Sequence, residues 1–399
     1  MNNQRSLFEE SRKPLLVLAV TSHVSMDFFK GQIDFLQKAG FAIAVVCSPG
    51  WDNIDGVKYY PIAMEREISV FKDILSLCFL IKLFLKIKPT IVNAGTPKAG
   101  LLVSIAAFIC KVPIKIYTCH GLRLETAAGW KRKLLIITEK ISGFCADRIV
   151  CVSNSLRCKF IKLQLASEKK VAVIGAGSCN GIDLKKFIQT EQCRIKKENI
   201  LVKKNVPKNA VFVGFVGRLT RDKGIYELAE AFEILKGKFP NLYLLLLGNF
   251  ENGDSIAETT REKIVRDQRI IDLGFIANPV PYYQLMSLLI LPTYREGFGN
   301  VLLEAGAIGI PVVASRVTGC VDVVVDGETG LLVPVGDSTA LANAVAMLLT
   351  NTALAALMGR KARQRIEHLY KNEVVWNNLD KFYKGLLHTK NGNSLAPPV

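Results

Sequence analysis

Short apolar runs rich in β-branched residues alternate with longer stretches of helical periodicity along nearly the whole chain. That alternation is the mark of βαβ units built around a parallel sheet. In the first half the runs Leu15–Val20, Ala42–Cys47, Thr90–Asn93, Lys115–Thr118, Arg148–Val152 and Val171–Ile174 read as strands, with helices over Asp27–Lys38 and Ile74–Lys86. Thr96-Pro97 reads as an N-cap followed by proline at the first helical position. The pattern lapses between Gln189 and Asn209, a charged segment closing on a proline, and then resumes. Val211–Val216, Tyr243–Leu247, Ile270–Leu273, Leu288–Pro292, Pro311–Ala314 and Gly330–Val333 are the strands of a second series, with helices such as Ile225–Lys238 and Gly299–Ala307 between them. The fold class is therefore α/β, two Rossmann-like domains in tandem over 1–195 and 196–372. A C-terminal helix near 373–390 is expected to return to the first domain, and 391–399 to form a disordered tail. A chain of 399 residues is also longer than one hydrophobic core usually supports.

Lysine and arginine outnumber aspartate and glutamate 52 to 35, a formal charge of +17, so the partner should be anionic. Nucleic acid, an acidic membrane face and a phosphorylated substrate share that chemistry, and composition does not choose among them. The ten cysteines include no CxxC pair and mostly sit in apolar runs, which reads as buried thiols in a reducing compartment. With four histidines and no carboxylate cluster at ligand spacing, no metal site is expected. The amino-terminal residues are too polar for a secretory signal, which points to the cytoplasm. The greasiest segments, Ile74–Leu85 and Ala99–Cys110, fall short of a spanning helix and leave peripheral attachment open.

The most informative stretch runs from Pro292 to Gly306, where a strand ends, a glycine-flanked loop turns and a helix begins near Gly299. Such a junction exposes unpaired N–H groups and the positive end of a helix dipole, a seat for phosphate at the carboxyl edge of a parallel sheet. Glu296 lies in the loop and Glu304 follows just over one turn into the helix, so one ligand can touch both, with Glu304 placed for vicinal hydroxyls such as those of a ribose. A solvated loop glutamate and an ordinary early-helix carboxylate are the plain alternatives. A second strand leads through Gly217 into a loop carrying Arg218 and Lys223, a planar fork and a mobile point charge suited to a diphosphate. Alone this pair is a weak signal, since solvated surface cations look the same. His120, in Thr118-Cys-His-Gly at a strand end, is either a satisfied structural histidine or a site residue.

Together, Gly217-Arg218-Leu219, Lys223-Gly224, Glu296-Gly-Phe-Gly, Glu304-Ala and Gly309-x-Pro311-Val-Val-Ala-Ser resemble the retaining family-4, group 1 glycosyltransferases, of the GT-B architecture in which two Rossmann-like domains face each other across a cleft. The resemblance covers nearly the whole chain, and Thr96–Gly100, Tyr117–Arg123, Ala146–Arg148 and Gly177–Asp183 are most similar to the bacterial subgroup that builds capsule, exopolysaccharide or O-antigen on a lipid carrier. It implies that Arg218 and Lys223, beside Gly217, hold the nucleotide pyrophosphate, that Glu304 holds the ribose hydroxyls, and that Glu296 with the amides of Gly297, Phe298 and Gly299 holds the transferred sugar and distal phosphate. His120 matches the first-domain histidine facing the donor sugar, so His120 and Glu296 are the catalytic candidates. The chain departs from the pattern at Thr21–Asp27, where a glycine-rich loop is common, and contacts from that loop are not carried over.

The expected enzyme is a hexosyltransferase-type glycosyltransferase that needs no cofactor and moves a sugar from a nucleotide-diphosphate donor, a UDP-sugar, to a lipid-phosphate-linked or saccharide acceptor with retention. An epimerase on the same architecture differs in needing no acceptor. A basic nucleic-acid-binding protein is the rival from another class, and no helix-turn-helix, RNP-type or zinc spacing supports it. Lys98, Arg123, Lys131 and Arg132 are acceptor-side candidates. They belong to a cation-rich span between Lys72 and Lys140, interleaved with Phe79, Phe84 and Trp130, that suits an anionic membrane face.

Overall fold

The computed structural model describes residues 13–52, 54–65, 69–188, 195, 198–199, 202 and 206–390. The polar amino-terminal segment, Cys193, most of the expected boundary segment and the tail 391–399 lie outside the described residues. The chain divides into two compact units, Met1–Asn180 with Val375–Val399, and Gly181–Val374. The first division thus falls at 180/181 rather than at 195, and the helix Asn372–Lys390 joins the first unit from Val375 onward.

In the first unit the strands are β1 Leu15–Ala19, β2 Ala42–Cys47, β3 Lys58–Pro61, β4 Ile91–Gly95, β5 Ile114–Cys119, β6 Arg148–Cys151 and β7 Val171–Ala172. They form one parallel sheet ordered β3-β2-β1-β4-β5-β6-β7. Both faces are covered, which is why the strands read as continuous apolar runs. Leu16 and Leu18 of β1 enter a core shared with Phe382, Tyr383 and Leu386 of the C-terminal helix. Val17 and Ala19, pointing the other way, pack with Leu80, Phe84 and Val103 of the helices Val70–Ile87 and Pro97–Ile109.

Three sequence expectations change here. The helix expected over Asp27–Lys38 is a 3₁₀ segment, His23–Phe29, and a separate helix, Gln32–Lys38, because Gly31 takes a left-handed φ of 75°. There Trp376 packs so closely that a Cβ on Gly31 would lie 2.7 Å from its ring. Thr96 stands at the N-cap position of Pro97–Ile109, yet its side chain does not cap. It instead meets the hydroxyl of Thr21 at 2.8 Å across the β1/β4 junction, with its backbone held at φ 69°. The edge strand β3, which carries Pro61, was not foreseen, since proline and a four-residue length both weaken a strand pattern. Cys47, Cys119, Cys145, Cys151 and Cys320 are buried as expected, whereas Cys78 and Cys158 are exposed.

The second unit contains β8 Val211–Val216, β9 Leu242–Leu247, β10 Ile270–Asp272, β11 Met286–Leu291, β12 Val312–Ser315 and β13 Leu331–Val333. They form a parallel sheet ordered β10-β9-β8-β11-β12-β13. The order reverses between β8 and β11, so the loops beyond their carboxyl ends diverge around a crevice, the usual ligand position of an open α/β sheet. Among the described residues no single helix is long and apolar enough to cross a membrane.

Candidate active site

Arg218 and Lys223 lie in the loop after β8, and Glu296 in the loop after β11, so the second unit brings all three to its switch point. The approach of the two loops depends on Gly224, with φ 72°, where a Cβ would sit 1.9 Å from the carbonyl oxygen of Pro292. Two hydrogen bonds to the Asp222 carbonyl then lock them together, one from the Tyr294 N–H at 2.9 Å and one from the Thr293 hydroxyl at 3.1 Å. The result is that the Lys223 ammonium donates directly to Glu296, both side chains being largely buried.

Gly217 has a conformational role as well. A Cβ on Gly248, at the end of β9, would lie 1.8 Å from the Gly217 carbonyl oxygen, so the loops after β8 and β9 touch backbone to backbone. That brings Arg218 to Glu251, with Nη1 donating to Oε2 at 2.8 Å. Its second terminal nitrogen, Nη2, lies 3.7 Å from Asp222, which also receives Arg295 Nη2 at 2.8 Å and the Thr220 hydroxyl at 2.6 Å. Burial alone would raise the Asp222 pKa, but the Thr220 hydroxyl and the charges of Arg295, Arg218 and Lys223 outweigh it and hold the carboxyl below its ordinary value.

Gly299, at φ 75°, precedes the helix Asn300–Ile308, and no side chain caps it. The Gly297–Phe298 backbone is backed by Gly319, where a Cβ would come within 2.8 Å of the Phe298 nitrogen. The Phe298 ring is core, packed edge-on against Tyr370 at 5.3 Å, so only its backbone is available to a ligand. Glu304, on the same helix, accepts the Tyr283 hydroxyl at 2.6 Å. Burial raises its pKa while Tyr283 opposes the rise. Sequence reasoning missed Asp222, Glu251, Tyr283 and Arg295. Arg295 adjoins the recognised motif and Asp222 sits inside it, but nothing local marks Glu251 or Tyr283.

In the first unit His120 follows β5, stacked on Phe28 with ring centroids 4.6 Å apart. Both ring nitrogens are buried and have no hydrogen-bond partner among the described residues. They border a cavity of about 40 Å³ also lined by Gln32, Asn93 and Thr118. Burial lowers the His120 pKa to about 4, so the imidazole is neutral at pH 7. Below it the Thr118 hydroxyl donates to Asn93 Oδ1 at 2.7 Å, and Asn93 Nδ2 donates to the Tyr383 hydroxyl at 2.7 Å, tying the β4 and β5 ends to the C-terminal helix.

The acceptor-side candidates differ in exposure. Lys98 is largely buried and its ammonium bridges to Asp73, so its charge is already matched within the fold. Arg123 begins a 3₁₀ turn and is exposed, while Lys131 and Arg132 are exposed on the helix Gly129–Cys145. Phe84, expected on the membrane-facing side, is buried in the core at 1% exposure, whereas Phe79 and Trp130 are exposed.

Two parallel-sheet units, one of which gathers arginine, lysine and glutamate at its switch point beside an uncapped helix, define a GT-B glycosyltransferase. The family profile described as "Glycosyl transferases group 1" matches residues 196–365, and that described as "Glycosyl transferase 4-like" matches residues 15–153. Over 375 residues the chain is 40% identical to the capsular polysaccharide biosynthesis glycosyltransferase CapM of Staphylococcus aureus, covering 94% of this chain and 97% of CapM. The chain belongs to the group 1, family-4-like glycosyltransferases. It is 28% identical over 347 residues to the Escherichia coli UDP-Gal:alpha-D-GlcNAc-diphosphoundecaprenol alpha-1,3-galactosyltransferase, with 84% of this chain and 87% of that enzyme covered. Among solved structures, sucrose-phosphate synthase from Thermosynechococcus elongatus superposes with a TM-score of 0.77 at 22% identity, over 94% of this chain and 100% of that one. Anabaena HepE in complex with UDP and glucose gives 0.75 at 19% identity, over 94% and 100%. At these identities the likeness concerns the fold.

Proposed function

We propose that the protein transfers a sugar, with retention at the anomeric carbon, from a UDP-sugar to a lipid-phosphate-linked acceptor in the synthesis of a bacterial capsule or related surface polysaccharide. The observation that carries this reading is the convergence of Arg218, Lys223 and Glu296 beside the uncapped start of Asn300–Ile308. The cations and helix N–H groups stabilise the charge that grows on the departing pyrophosphate, an effect usually worth several kcal/mol. Glu304 takes the ribose hydroxyls, and Glu296 with the backbone of Gly297–Gly299 takes the sugar and distal phosphate. His120, neutral at pH 7, serves as a hydrogen-bonding partner of the sugar rather than as a cation. In a front-face substitution the leaving phosphate accepts the proton of the incoming hydroxyl, so no second carboxylate is needed. The reaction needs no metal because Arg218, Lys223 and the helix N-terminus supply the positive charge.

The names of CapM and of the E. coli enzyme support the polysaccharide setting and a diphosphoundecaprenol-type acceptor. The test is to incubate the protein with a panel of nucleotide sugars and isolated lipid-linked acceptors, with and without a chelator. Released nucleotide is measured and the anomeric configuration of the product is read by NMR. Acceptor-dependent release of UDP, an α-linked product from an α-linked donor and indifference to the chelator are expected. Conversion of the nucleotide sugar to its epimer without any acceptor, and with no net release of nucleotide, would instead mark an epimerase.

A further inference from the structure

Three cations of the second unit's site already face carboxylates: Arg218 meets Glu251, Lys223 meets Glu296 and Arg295 meets Asp222. A diphosphate entering the site must therefore break into an existing charge balance, and the three carboxylates are not held equally. Asp222 is 8% exposed, bonded by Arg295 and the Thr220 hydroxyl, and its own N–H donates to Asp254 at 2.8 Å. Glu296 is 15% exposed against Lys223. Glu251 is 36% exposed, stands at the start of the turn Asn252–Asp254 after β9, and among the described residues its carboxylate bonds to Arg218 alone.

We propose that Glu251 is an internal stand-in for the donor's phosphate, occupying the Arg218 guanidinium while the site is empty and swinging into solvent when a nucleotide diphosphate takes its place. The inference rests on the reading of this site as a nucleotide-diphosphate site. A phosphate drawn to the Arg218 guanidinium comes up against the Glu251 carboxylate already seated there, and the two anions repel. The loosely held carboxylate is the one that yields. Its counter-charge keeps Arg218 oriented without a ligand and takes the arginine back as the nucleotide leaves. A pair this exposed is worth a factor of about 2–5 in an equilibrium, small enough for a ligand to overcome.

The experiment is calorimetry on the full chain with UDP, GDP, ADP, inorganic pyrophosphate and uridine, comparing the parent, Glu251→Gln, Arg218→Ala and the double variant, with thermal melts to confirm folding. Glu251→Gln is expected to bind UDP about 2–5-fold more tightly than the parent, with no gain for uridine and none in the Arg218→Ala background. UDP affinity equal to or weaker than the parent's overturns the inference and leaves the site reading standing. A gain that persists without Arg218 also overturns it, since it would reflect only the lost negative charge. A parent that binds none of the diphosphates overturns the site reading and this inference with it.

Discussion

At the scale of single residues, the proposed function assigns some groups to the nucleotide and others to the transferred sugar. Arg218→Ala and Lys223→Ala are each expected to weaken UDP binding roughly 10–100-fold, the worth of a charge-assisted hydrogen bond. The melting temperature should stay near the parent's for Arg218→Ala but fall for Lys223→Ala, which strands the largely buried Glu296. Calorimetry of folded variants with unchanged affinity would sink the phosphate assignment. Glu296→Gln should cut turnover by a comparable factor with little change in UDP affinity, whereas Glu304→Ala should act mainly on UDP affinity through the lost ribose contacts. If both variants lose only nucleotide affinity, Glu296 does not face the sugar. His120 has its pKa lowered to about 4 by burial, so it stays neutral from pH 5 upward and protonates only in acid. The kcat/KM profile should therefore show no limb near the ordinary histidine value of 6.5. A limb there that vanishes in His120→Asn would contradict a neutral imidazole.

Secondary-structure elements carry consequences of their own. The helix Gly129–Cys145 buries Glu139 at 5% exposure, where it accepts the Tyr117 hydroxyl at 3.0 Å. Burial raises its pKa from 4.5 to about 7, with the Tyr117 hydrogen bond opposing the rise. The folded chain thus holds this proton more tightly than the unfolded one. The associated stability is lost as pH climbs from 4.5 towards 7, and the full penalty applies above that. Glu139→Gln keeps an acceptor for Tyr117 and removes the charge. It is expected to stabilise the fold by up to about 3 kcal/mol at pH 8 and by almost nothing near pH 4.5, as read from denaturant melts at both values. An equal effect at the two pH values would rule out the buried charge as its cause. Gly224 and Gly31 act through geometry instead, since each leaves out a Cβ where a neighbouring carbonyl or ring has come too close to admit one.

On the scale of the whole molecule, the +17 charge has to be set against the apolar surface it accompanies. The helices Val70–Ile87, Pro97–Ile109 and Gly129–Cys145 pack side by side on one face of the first sheet. They leave Phe71, Phe79, Phe108, Trp130 and Phe144 exposed, among the exposed cations Lys82, Lys86, Lys131, Arg132 and Lys133. An apolar face of this kind rimmed by cations suits an anionic bilayer, from which a lipid-linked acceptor would come. Each cation near such a surface is worth about 1 kcal/mol and is screened within a Debye length, so attachment should be reversible. Co-sedimentation with anionic but not neutral vesicles, reversed by high salt and weakened by neutralising Lys131, Arg132 and Lys133 together, is expected. Indifference to both vesicle types would favour a soluble acceptor.

Read by itself, the sequence determined the α/β class, the two series of strands and the residues around Arg218, Lys223, Glu296 and Glu304. Strand periodicity and the glycines of tight junctions are local properties, and β2 and β8 match the apolar runs that announced them. The interruption at Gly31, the uncapped Thr96, the edge strand β3 and the burial of Phe84 were decided by neighbours distant in sequence: Trp376, Thr21, β2 and the core of the first sheet. The same holds for Glu251 and Tyr283, which become parts of the site only because β9 lies beside β8 and because the turn Val280–Tyr283 packs on the helix that carries Glu304. Charge pairing depends on which loops meet at a sheet's edge. Strand order sets those meetings, and no local pattern of residues encodes it.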